Sequence, residues 1–214
     1  MKMVVFDLDG TLVDSFEDIA RAANHALVRL GHPAVPTEKV RMRVGHGLEN
    51  LIRGFLPGAD PDSIARGMRL VTEFYRDHPA DASFLYPGVP EALDEMGQTG
   101  VVRVVLSNKV DSVVQAIARI LDLTERTEEV WGHRNGFPLK PDPASLLHIL
   151  EKYTCRPQDC LVVGDSTPDA ELARNAEARF CAVTWGLTPK EKWDLRKGEQ
   201  LVERAEDLPR LLQS

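Results

Sequence analysis

The chain has 214 residues, of which 43% are hydrophobic and 28% charged, enough for one globular core with or without an insertion. A formal net charge of −7, with no long run of Lys or Arg and no apolar segment long enough to span a bilayer, excludes nucleic acid and the membrane as expected partners. The three cysteines form neither a CxxC pair nor a metal-ligand cluster, and with no signal peptide they predict a cytoplasmic protein.

The first predicted element is a strand that ends in two carboxylates. Residues 4–6 form a short run of Val and Phe, which is typical of a strand buried on both faces of a parallel sheet. Asp7 and Asp9 follow it, and residues two apart on an extended chain point to the same side. Because two adjacent carboxylates repel each other, the pair calls for a cation or a shared proton. A solvated turn rich in aspartate is the simpler alternative.

Helical spacing replaces the strand pattern from Ser15 to about residue 84. Ser15, with Asp18 three residues later, has the arrangement of a helix N-cap close to a capping box. Apolar residues then recur at helical spacing in several short stretches, and no convincing strand pattern interrupts them. A cluster of Pro and Gly after Tyr86 ends this part of the chain. The stretch is therefore predicted to be helical.

This helical stretch is predicted to be an insertion, because an alternation of strands and helices resumes beyond it. Linkers near Asp14 and Tyr86 join it to the rest of the chain, and a pair of linkers permits the hinge motion of a lid. The predicted division is a helical cap over residues 15–85 and an α/β core over residues 1–14 and 86–214.

Short apolar strands and amphipathic helices alternate through the rest of the sequence. Further strands are predicted at residues 101–106, 129–131, 160–163 and 180–184, with helical patterns between them. This alternation predicts an α/β protein built on a doubly wound parallel sheet. An amphipathic helix is predicted to close the chain at Leu212.

Polar clusters follow three of these strands. In a parallel sheet the carboxyl ends of the strands lie at one edge, so side chains distant in sequence can meet in one crevice. Carboxylate oxygens of this kind suit Mg²⁺, and a nearby lysine and hydroxyl would suit a phosphoryl group. One carboxylate could attack phosphorus while its neighbour two residues on transfers a proton. The residues concerned are Asp7, Asp9 and Thr11, Ser107 and Asn108, Asp165 and Asp169, and Lys140.

These clusters resemble the four signature motifs of the haloacid dehalogenase-like superfamily. The resemblance implies a Rossmann-like core, a small helical cap after the first motif, and Mg²⁺ as cofactor. It covers nearly the whole chain outside the insertion, and the four motifs match in order and approximate spacing. They are Asp7-Leu8-Asp9-Gly10-Thr11-Leu12, Ser107-Asn108, Lys140-Pro141, and Gly164-Asp165 with Asp169.

The resemblance also implies a role for each matching residue. Asp7 would be the nucleophile that forms an aspartyl-phosphate, and Asp9 would be the general acid and base. Lys140 and Ser107 would hold the phosphoryl group, with Asn108 beside them. Leu8 and Thr11, within the first motif, complete the implied substrate-binding set. The implied ligands of Mg²⁺ are Asp7, Asp9 through its backbone carbonyl, Asp165 and Asp169.

Within the superfamily the likeness is closest to phosphoglycolate phosphatase-like members. Phosphoglycolate is therefore the first candidate for a small phosphorylated substrate. Two alternatives remain open: a phosphosugar mutase of the β-phosphoglucomutase type, and a non-catalytic relative that binds phosphate. Leu48 stands where those mutases carry an arginine, and haloacid dehalogenases lack the counterpart of Asp9. The segments that carry this likeness are residues 12–15, 44–47, 87–89 and 183–186.

Two further residues near the motifs are assigned from their surroundings. Lys109 is expected to be solvated or at the rim of the site. His46 is expected in a turn between cap helices, and we count it among the candidate substrate-binding residues because such a loop can face the substrate.

Three arginines of the insertion, Arg41, Arg43 and Arg53, are expected on solvated helix faces, although one of them could bind a substrate carboxylate through two hydrogen bonds. Glu177 stands where relatives often have glycine, which affects a turn and not the chemistry. We expect a monomer or a homodimer.

Overall fold

A parallel sheet with helices on both faces forms the core of the structure. The computed structural model describes residues 1–134 and 136–213. In chain order its elements are β1 (Met3–Phe6), β2 (Val13–Asp14), α1 (Phe16–Arg29), α2 (Thr37–Arg41), α3 (Leu48–Phe55), α4 (Pro61–Asp77), β3 (Phe84–Leu85), α5 (Val89–Gln98), β4 (Val102–Val110), α6 (Asp111–Ile120), α7 (Leu123–Arg126), β5 (Glu129–His133), α8 (Ala144–Lys152), β6 (Cys160–Gly164), α9 (Thr167–Asn175), β7 (Arg179–Val183) and β8 (Gln200–Val202). Segments of 3₁₀ helix cover Pro157–Asp159, Lys190–Lys192 and Ala205–Gln213.

Within the described residues six strands pair in the order β5-β4-β1-β6-β7-β8, and every pairing is parallel. β1 lies between β4 and β6, with Phe6 opposite Val105 on one side and Val163 on the other. The carboxyl ends of β1, β4 and β6 therefore meet at one edge of the sheet. The predicted α/β fold with a parallel sheet is confirmed.

The residues of β1 alternate between two hydrophobic cores, one on each face of the sheet. Val4 and Phe6 pack with α5 and the end of the chain, whereas Met3 and Val5 pack with α8 and α9. All four side chains are buried. The short β-branched run is thus explained by burial on both faces, as the sequence pattern predicts.

Three features of the fold differ from the sequence prediction. β4 does not end before Ser107 but continues to Val110, with a shift of register after Leu106. β8 was not predicted, because an edge strand of three residues leaves almost no periodic pattern. The end of the chain is 3₁₀ helix rather than α-helix, and Pro209 lies inside it, where the missing N–H and the proline ring disfavour an α-helix.

The helices between Phe16 and Asp77 pack around a third hydrophobic core, with α1 against α4 and α3, and Val113 and Ile117 of α6 contribute to this core. The chain enters and leaves this part through β2 and β3, which pair antiparallel, Val13 with Leu85. None of the helices in the described part of the chain is both long and apolar enough to cross a membrane.

The predicted capping box at the start of α1 is wrong, because its two side chains make tertiary contacts instead. The Ser15 hydroxyl donates to the Asp9 carboxylate and makes no capping hydrogen bond. Asp18 is buried and accepts hydrogen bonds from the Ala82 N–H (2.9 Å) and the Ser83 hydroxyl (2.6 Å). Asp18 thereby holds the start of α1 against the returning linker.

Glu177 occupies the turn after α9 in a left-handed backbone conformation, with φ of 56°. The turn keeps the hydrogen bonds of a helix C-cap, because the Ala178 N–H donates to the carbonyl of Ala173 (2.8 Å). A residue with a Cβ in this conformation costs about 1–2 kcal/mol relative to the right-handed helix, which is the physical reason that a glycine suits such a turn.

Candidate active site

The structure brings three buried carboxylates together at the carboxyl edge of the sheet. Asp7 follows β1, Asp165 follows β6, and Asp169 lies in the first turn of α9. One carboxylate oxygen from each lies within 4.8 Å of the others. Three buried carboxylates at this spacing call for a compensating cation or a shared proton. The donor set, carboxylate oxygen only, is the kind that Mg²⁺ prefers.

Backbone and hydroxyl groups hold two of these carboxylates in place. Asp169 accepts hydrogen bonds from the backbone N–H (3.1 Å) and the hydroxyl (2.6 Å) of Ser166, which completes a capping box at the start of α9. Asp165 accepts from the Leu187 N–H at 2.6 Å and from the Thr11 hydroxyl at 3.5 Å.

Gly10 makes the close approach of Asp165 possible. A Cβ atom at this position would collide with the Asp165 carboxylate, and the φ of +89° is one that residues with a side chain rarely adopt. The glycine of the first motif therefore has a physical cause, which is the packing of the motif loop against the next acidic residue.

Lys140 supplies a positive charge inside the carboxylate cluster. Its Nζ donates to Asp7 Oδ1 (2.6 Å), to Asp169 Oδ1 (2.7 Å) and to the carbonyl of Leu106 (3.0 Å). Only 8% of Lys140 is exposed. A loop residue predicted to lie near the site is thus part of its centre.

Asn108 positions the loop that carries Lys140. Its Oδ1 accepts from the Lys140 N–H at 2.7 Å, and its Nδ2 donates to the carbonyls of Lys140 (3.0 Å) and Gly45 (2.9 Å). The side chain therefore links the sheet edge, the Lys140 loop and the turn before α3. These bonds use the donors and the acceptor of the amide, so Asn108 orients its neighbours and does not present a free amide to a ligand.

The cluster shifts the ionisation of its members. Burial raises the pKa of Asp7 to about 7, although Lys140 opposes the rise. Burial, together with the charges of Asp7 and Asp169, raises the pKa of Asp165 well above its usual value. Burial lowers the pKa of Lys140, but Asp169 and Asp7 outweigh this effect and leave it raised, so Lys140 stays charged. Burial and mutual repulsion disfavour the ionised forms of these carboxylates, and a divalent cation would stabilise those ionised forms.

Asp9 forms a second, separate charge pair. Lys109 Nζ donates to Asp9 Oδ1 at 2.8 Å, and each side chain is 10% exposed. The expectation that Lys109 is solvated or at the rim is wrong, because β4 continues past Ser107 and carries Lys109 over the site. Burial lowers the pKa of Lys109, but Asp9 and Tyr75 raise it further than burial lowers it.

The remaining candidates of the sheet edge differ in what they can offer. The Ser107 oxygen accepts from the Lys109 N–H (3.1 Å), which leaves its O–H free to donate. Thr11 is buried, with its hydroxyl on Asp165. The Leu8 side chain is fully buried in the hydrophobic core, so only its backbone can face a ligand.

A cavity of about 70 Å³ lies between the sheet edge and the helices of residues 16–77. Such a volume accommodates about five water molecules, the scale of a small ester. Its lining from the sheet edge is Asp7, Asp9, Ser107, Asn108, Lys109, Val110 and Val113, and its lining from the helical part includes Arg43, Gly45, Gly47, Thr72 and Tyr75.

The predicted turn residue His46 is exposed, and of the described residues around it Gly45 and Gly47 line the cavity while His46 does not. The three arginines have different surroundings. Arg53 pairs with Glu49 on an exposed face, as predicted. Arg41 is half-buried and donates to the carbonyl of Gly186 (2.7 Å) across to the sheet edge.

Comparison with known proteins identifies the family of this chain. Residues 4–183 match the family described as haloacid dehalogenase-like hydrolase. The chain belongs to this family. The four-motif resemblance is therefore confirmed. The likeness to phosphoglycolate phosphatases is confirmed too. One such enzyme, from Vibrio parahaemolyticus, is 36% identical over 199 residues, which is 89% of this chain and 87% of the relative. Another, from Nitrosospira multiformis, is 35% identical over 191 residues, 87% of this chain and 84% of the relative.

Solved structures share the fold of this chain. A predicted phosphoglycolate phosphatase from Haemophilus somnus 129PT superimposes with a TM-score of 0.87 at 26% identity, covering 99% of this chain and 97% of that one. A predicted phosphatase from Clostridium acetobutylicum gives a TM-score of 0.88 at 19% identity, covering 99% and 98%. The latter likeness concerns the fold alone.

Sequence reasoning missed several residues of the site. Lys109 could have been found from its place directly after Ser107-Asn108 at a strand end. Ser15 and Tyr75 carry no comparable signal, since each reaches the site through the packing of α1 or α4. The Leu187 N–H, which donates to Asp165, is a backbone group, so the residue type at this position gives no signal of its role.

Proposed function

We propose that this protein is a Mg²⁺-dependent phosphatase that hydrolyses a small phosphorylated metabolite through an aspartyl-phosphate, with phosphoglycolate as the first candidate substrate. One observation carries the proposal: Asp7 lies against Lys140 in a buried cluster with Asp165 and Asp169. Phosphoric monoester hydrolysis is also the activity that the names of the relatives imply. The lid formed by residues 15–85 would admit the substrate to the cavity.

Asp7 and Asp9 divide the chemistry between them. The Asp7 carboxylate attacks phosphorus in line, the bond from phosphorus to the ester oxygen breaks, and the leaving alkoxide takes a proton from Asp9. Asp9 then takes a proton from a water molecule, which attacks the aspartyl-phosphate and releases inorganic phosphate and the Asp7 carboxylate. The two residues lie two apart on the loop after β1, so both face the same substrate.

The Ser107 hydroxyl would donate to the phosphoryl group, and Thr11 with the backbone of Leu8 would complete the loop around it. Lys140 would act through its charge, because its three N–H groups donate to Asp7, Asp169 and the Leu106 carbonyl. Asp7, Asp165, Asp169 and the Asp9 carbonyl would hold Mg²⁺. When bound, Mg²⁺ neutralises charge on the phosphoryl oxygens. Lys140 remains beside Asp7 and Asp169 and supplies a fixed positive charge where negative charge accumulates.

A phosphate-release screen tests the proposal. The purified protein is offered a panel of phosphorylated metabolites, with Mg²⁺ or with excess EDTA, and inorganic phosphate is measured. We expect Mg²⁺-dependent release, with phosphoglycolate among the best substrates. A phosphate that moves to another position of a phosphosugar without release would instead indicate a mutase, and no turnover of any ester would indicate a binding protein.

Asp9→Asn is expected to slow phosphate release by about 10²–10⁴, because it removes the proton donor and acceptor. The loss should be larger with an alkyl ester, whose leaving group needs a proton, than with p-nitrophenyl phosphate, whose leaving group does not. Values of kcat/KM with both esters check this, because they report only the first step, in which the leaving group departs. An equal loss with the two esters would contradict the assignment of Asp9 as the acid.

Mg²⁺ is expected to stabilise the protein more at pH 8 than at pH 5.5. The Asp7 pKa is raised from 3.8 to about 7 in the folded metal-free protein. Proton binding at Asp7 therefore favours the folded state fully below pH 3.8, and this contribution is lost as the pH rises through about 7. Because Mg²⁺ binds the ionised carboxylates, it offsets the free-energy cost of burying their charge. That cost exists mainly at high pH, where the carboxylates are ionised.

Melting temperatures with Mg²⁺ and with EDTA at the two pH values measure this effect. In Asp7→Asn, which lacks the titrating carboxylate, the dependence of the Mg²⁺ effect on pH should be reduced. An equal Mg²⁺ effect at pH 5.5 and pH 8 in the unmodified protein would contradict the prediction.

A further inference from the structure

The hydroxyl of Tyr75 is buried at the cavity without a hydrogen-bond partner. Tyr75 lies on α4, is 4% exposed and lines the cavity together with Asp9 and Lys109. Lys109 Nζ lies 4.9 Å from the centroid of its ring, close enough for Tyr75 and Lys109 to shift each other's pKa. In the described part of the chain no group makes a hydrogen bond of normal length and angle to the phenol oxygen. A buried hydroxyl without a partner is costly to the folded protein, so it calls for an explanation.

Arg43 brings an uncompensated positive charge to the same cavity. Its guanidinium lies over the ring of Phe55 (4.7 Å) and reaches the carbonyl of Lys39 at 3.5 Å. No carboxylate of the described residues forms an ion pair with it. The other two cations of the site differ, since Lys109 is paired with Asp9 and Lys140 with Asp7. Arg43 itself lines the cavity, so an anion that enters would meet a charge that no carboxylate of the described residues compensates.

The rest of the lining from the helical part is mostly apolar. Ile19, Val44, Leu48, Leu51 and Val71 contribute hydrocarbon surface, and the Thr72 hydroxyl already donates to the carbonyl of Met68 (2.9 Å). A sugar with several hydroxyl groups would leave most of them without partners against this surface. A short ligand with one compact anionic group needs polar partners for that group alone, and Arg43 and Tyr75 would supply them.

We propose that the Tyr75 hydroxyl and the Arg43 guanidinium bind the carboxylate of a short phosphorylated carboxylic acid and thereby set the preference of the enzyme for this substrate class. The inference rests on the proposed phosphatase function and adds to it the residues that read the end of the substrate opposite the phosphate. Burial raises the pKa of Tyr75 to about 12, so its hydroxyl remains a hydrogen-bond donor at neutral pH. An arginine suits a carboxylate because its fork of N–H groups matches the two oxygens.

A comparison of two esters of the same length isolates the contribution of the substrate carboxylate. Phosphoglycolate and ethyl phosphate both carry two carbons, and only the first has a carboxylate. We expect Tyr75→Phe and Arg43→Gln each to lower kcat/KM for phosphoglycolate by about 10- to 100-fold, the effect of losing one hydrogen bond to a charged group. With ethyl phosphate the change in kcat/KM should stay within about threefold, because this ester has no carboxylate for Tyr75 and Arg43 to bind.

Matched variants control for the substitutions themselves. Tyr86 also has a buried hydroxyl without a partner, but it is not among the residues that line the cavity, so Tyr86→Phe should leave the preference unchanged. Arg69 is an exposed arginine of α4, so Arg69→Gln controls for the loss of one positive charge. Tyr75→Phe should melt at or above the temperature of the unmodified protein, because it removes a hydroxyl that has no partner there.

The outcomes separate this inference from the proposed function. If the unmodified enzyme prefers phosphoglycolate and the Tyr75 and Arg43 variants keep that preference, the inference is wrong and the phosphatase function stands. If the unmodified enzyme hydrolyses both esters equally well, the carboxylate site is wrong and the phosphatase function still stands. A large loss of stability in Tyr75→Phe would show a structural partner and overturn the inference. If no ester releases phosphate, the function fails and the inference fails with it.

Discussion

Asp7→Asn is expected to abolish phosphate release while the fold is retained. The substitution replaces the attacking carboxylate by an amide of the same shape, and an amide is not a nucleophile toward phosphorus at neutral pH. Its oxygen can still accept the hydrogen bond from Lys140 Nζ, which lies 2.6 Å from Asp7 Oδ1. We expect a loss on the order of 10⁴ or more in kcat, measured as phosphate release at saturating Mg²⁺.

Trapping of the intermediate provides a sharper measurement of the same role. The unmodified enzyme, mixed with substrate labelled in the phosphate and quenched in acid, should retain label on the chain, and Asp7→Asn should retain none. Asp62→Asn, an isosteric change at an exposed position of α4, is the matched control and should behave like the unmodified enzyme. Substantial turnover in Asp7→Asn would exclude Asp7 as the nucleophile.

Lys140→Met is expected to destabilise the metal-free protein and to lower kcat. The amine contacts Asp7, Asp169 and the Leu106 carbonyl in a site that excludes water. Removing one partner of a buried charge cluster costs about 3–5 kcal/mol, because the remaining charges lose their compensation. Removing a fixed positive charge from beside the transferred group should also lower kcat by about 10²–10³.

Urea unfolding with and without Mg²⁺ separates these two effects. Mg²⁺ should restore much of the stability of Lys140→Met, since it compensates the same carboxylates, but it should not restore the rate. The loss of stability should be smaller at pH 5.5 than at pH 8, because the carboxylates with raised pKa, Asp7 and Asp165, are then protonated to a greater extent.

Lys152→Met removes an exposed lysine that pairs with Glu129 and serves as the control. It should change stability by less than about 1 kcal/mol. Metal-free Lys140→Met as stable as the unmodified protein would contradict the central position of Lys140 in the cluster.

The acidic residues could be predicted from the sequence because their positions follow from local rules. Each polar cluster comes directly after a short apolar strand, and the carboxyl ends of parallel strands meet at one edge. Asp7, Asp165 and Asp169 therefore converge without any knowledge of how the helices pack. The same strands are buried on both faces, so their residue types alone identify them.

The partners of Asp9 could not be predicted in this way. The sequence predicts a helix cap at Ser15 and a solvated position or one at the rim of the site for Lys109, since each prediction follows from neighbours in sequence. In the structure both side chains bond the same carboxylate, which lies 6 positions from Ser15 and 100 positions from Lys109 along the chain. Burial of the carboxylate, and not local propensity, decides which bonds form.

The amino-acid sequence by itself determined the family, the parallel sheet and the acidic residues at its edge. These depend on apolar runs and on motif residues, both of which are local. Only the tertiary structure decided which polar groups find a hydrogen-bond partner inside the protein and which, such as the Tyr75 hydroxyl, do not. That distinction depends on how α1 to α4 pack over the sheet edge. It is set by the distances between side chains that are far apart in sequence, and no local pattern of residues determines those distances.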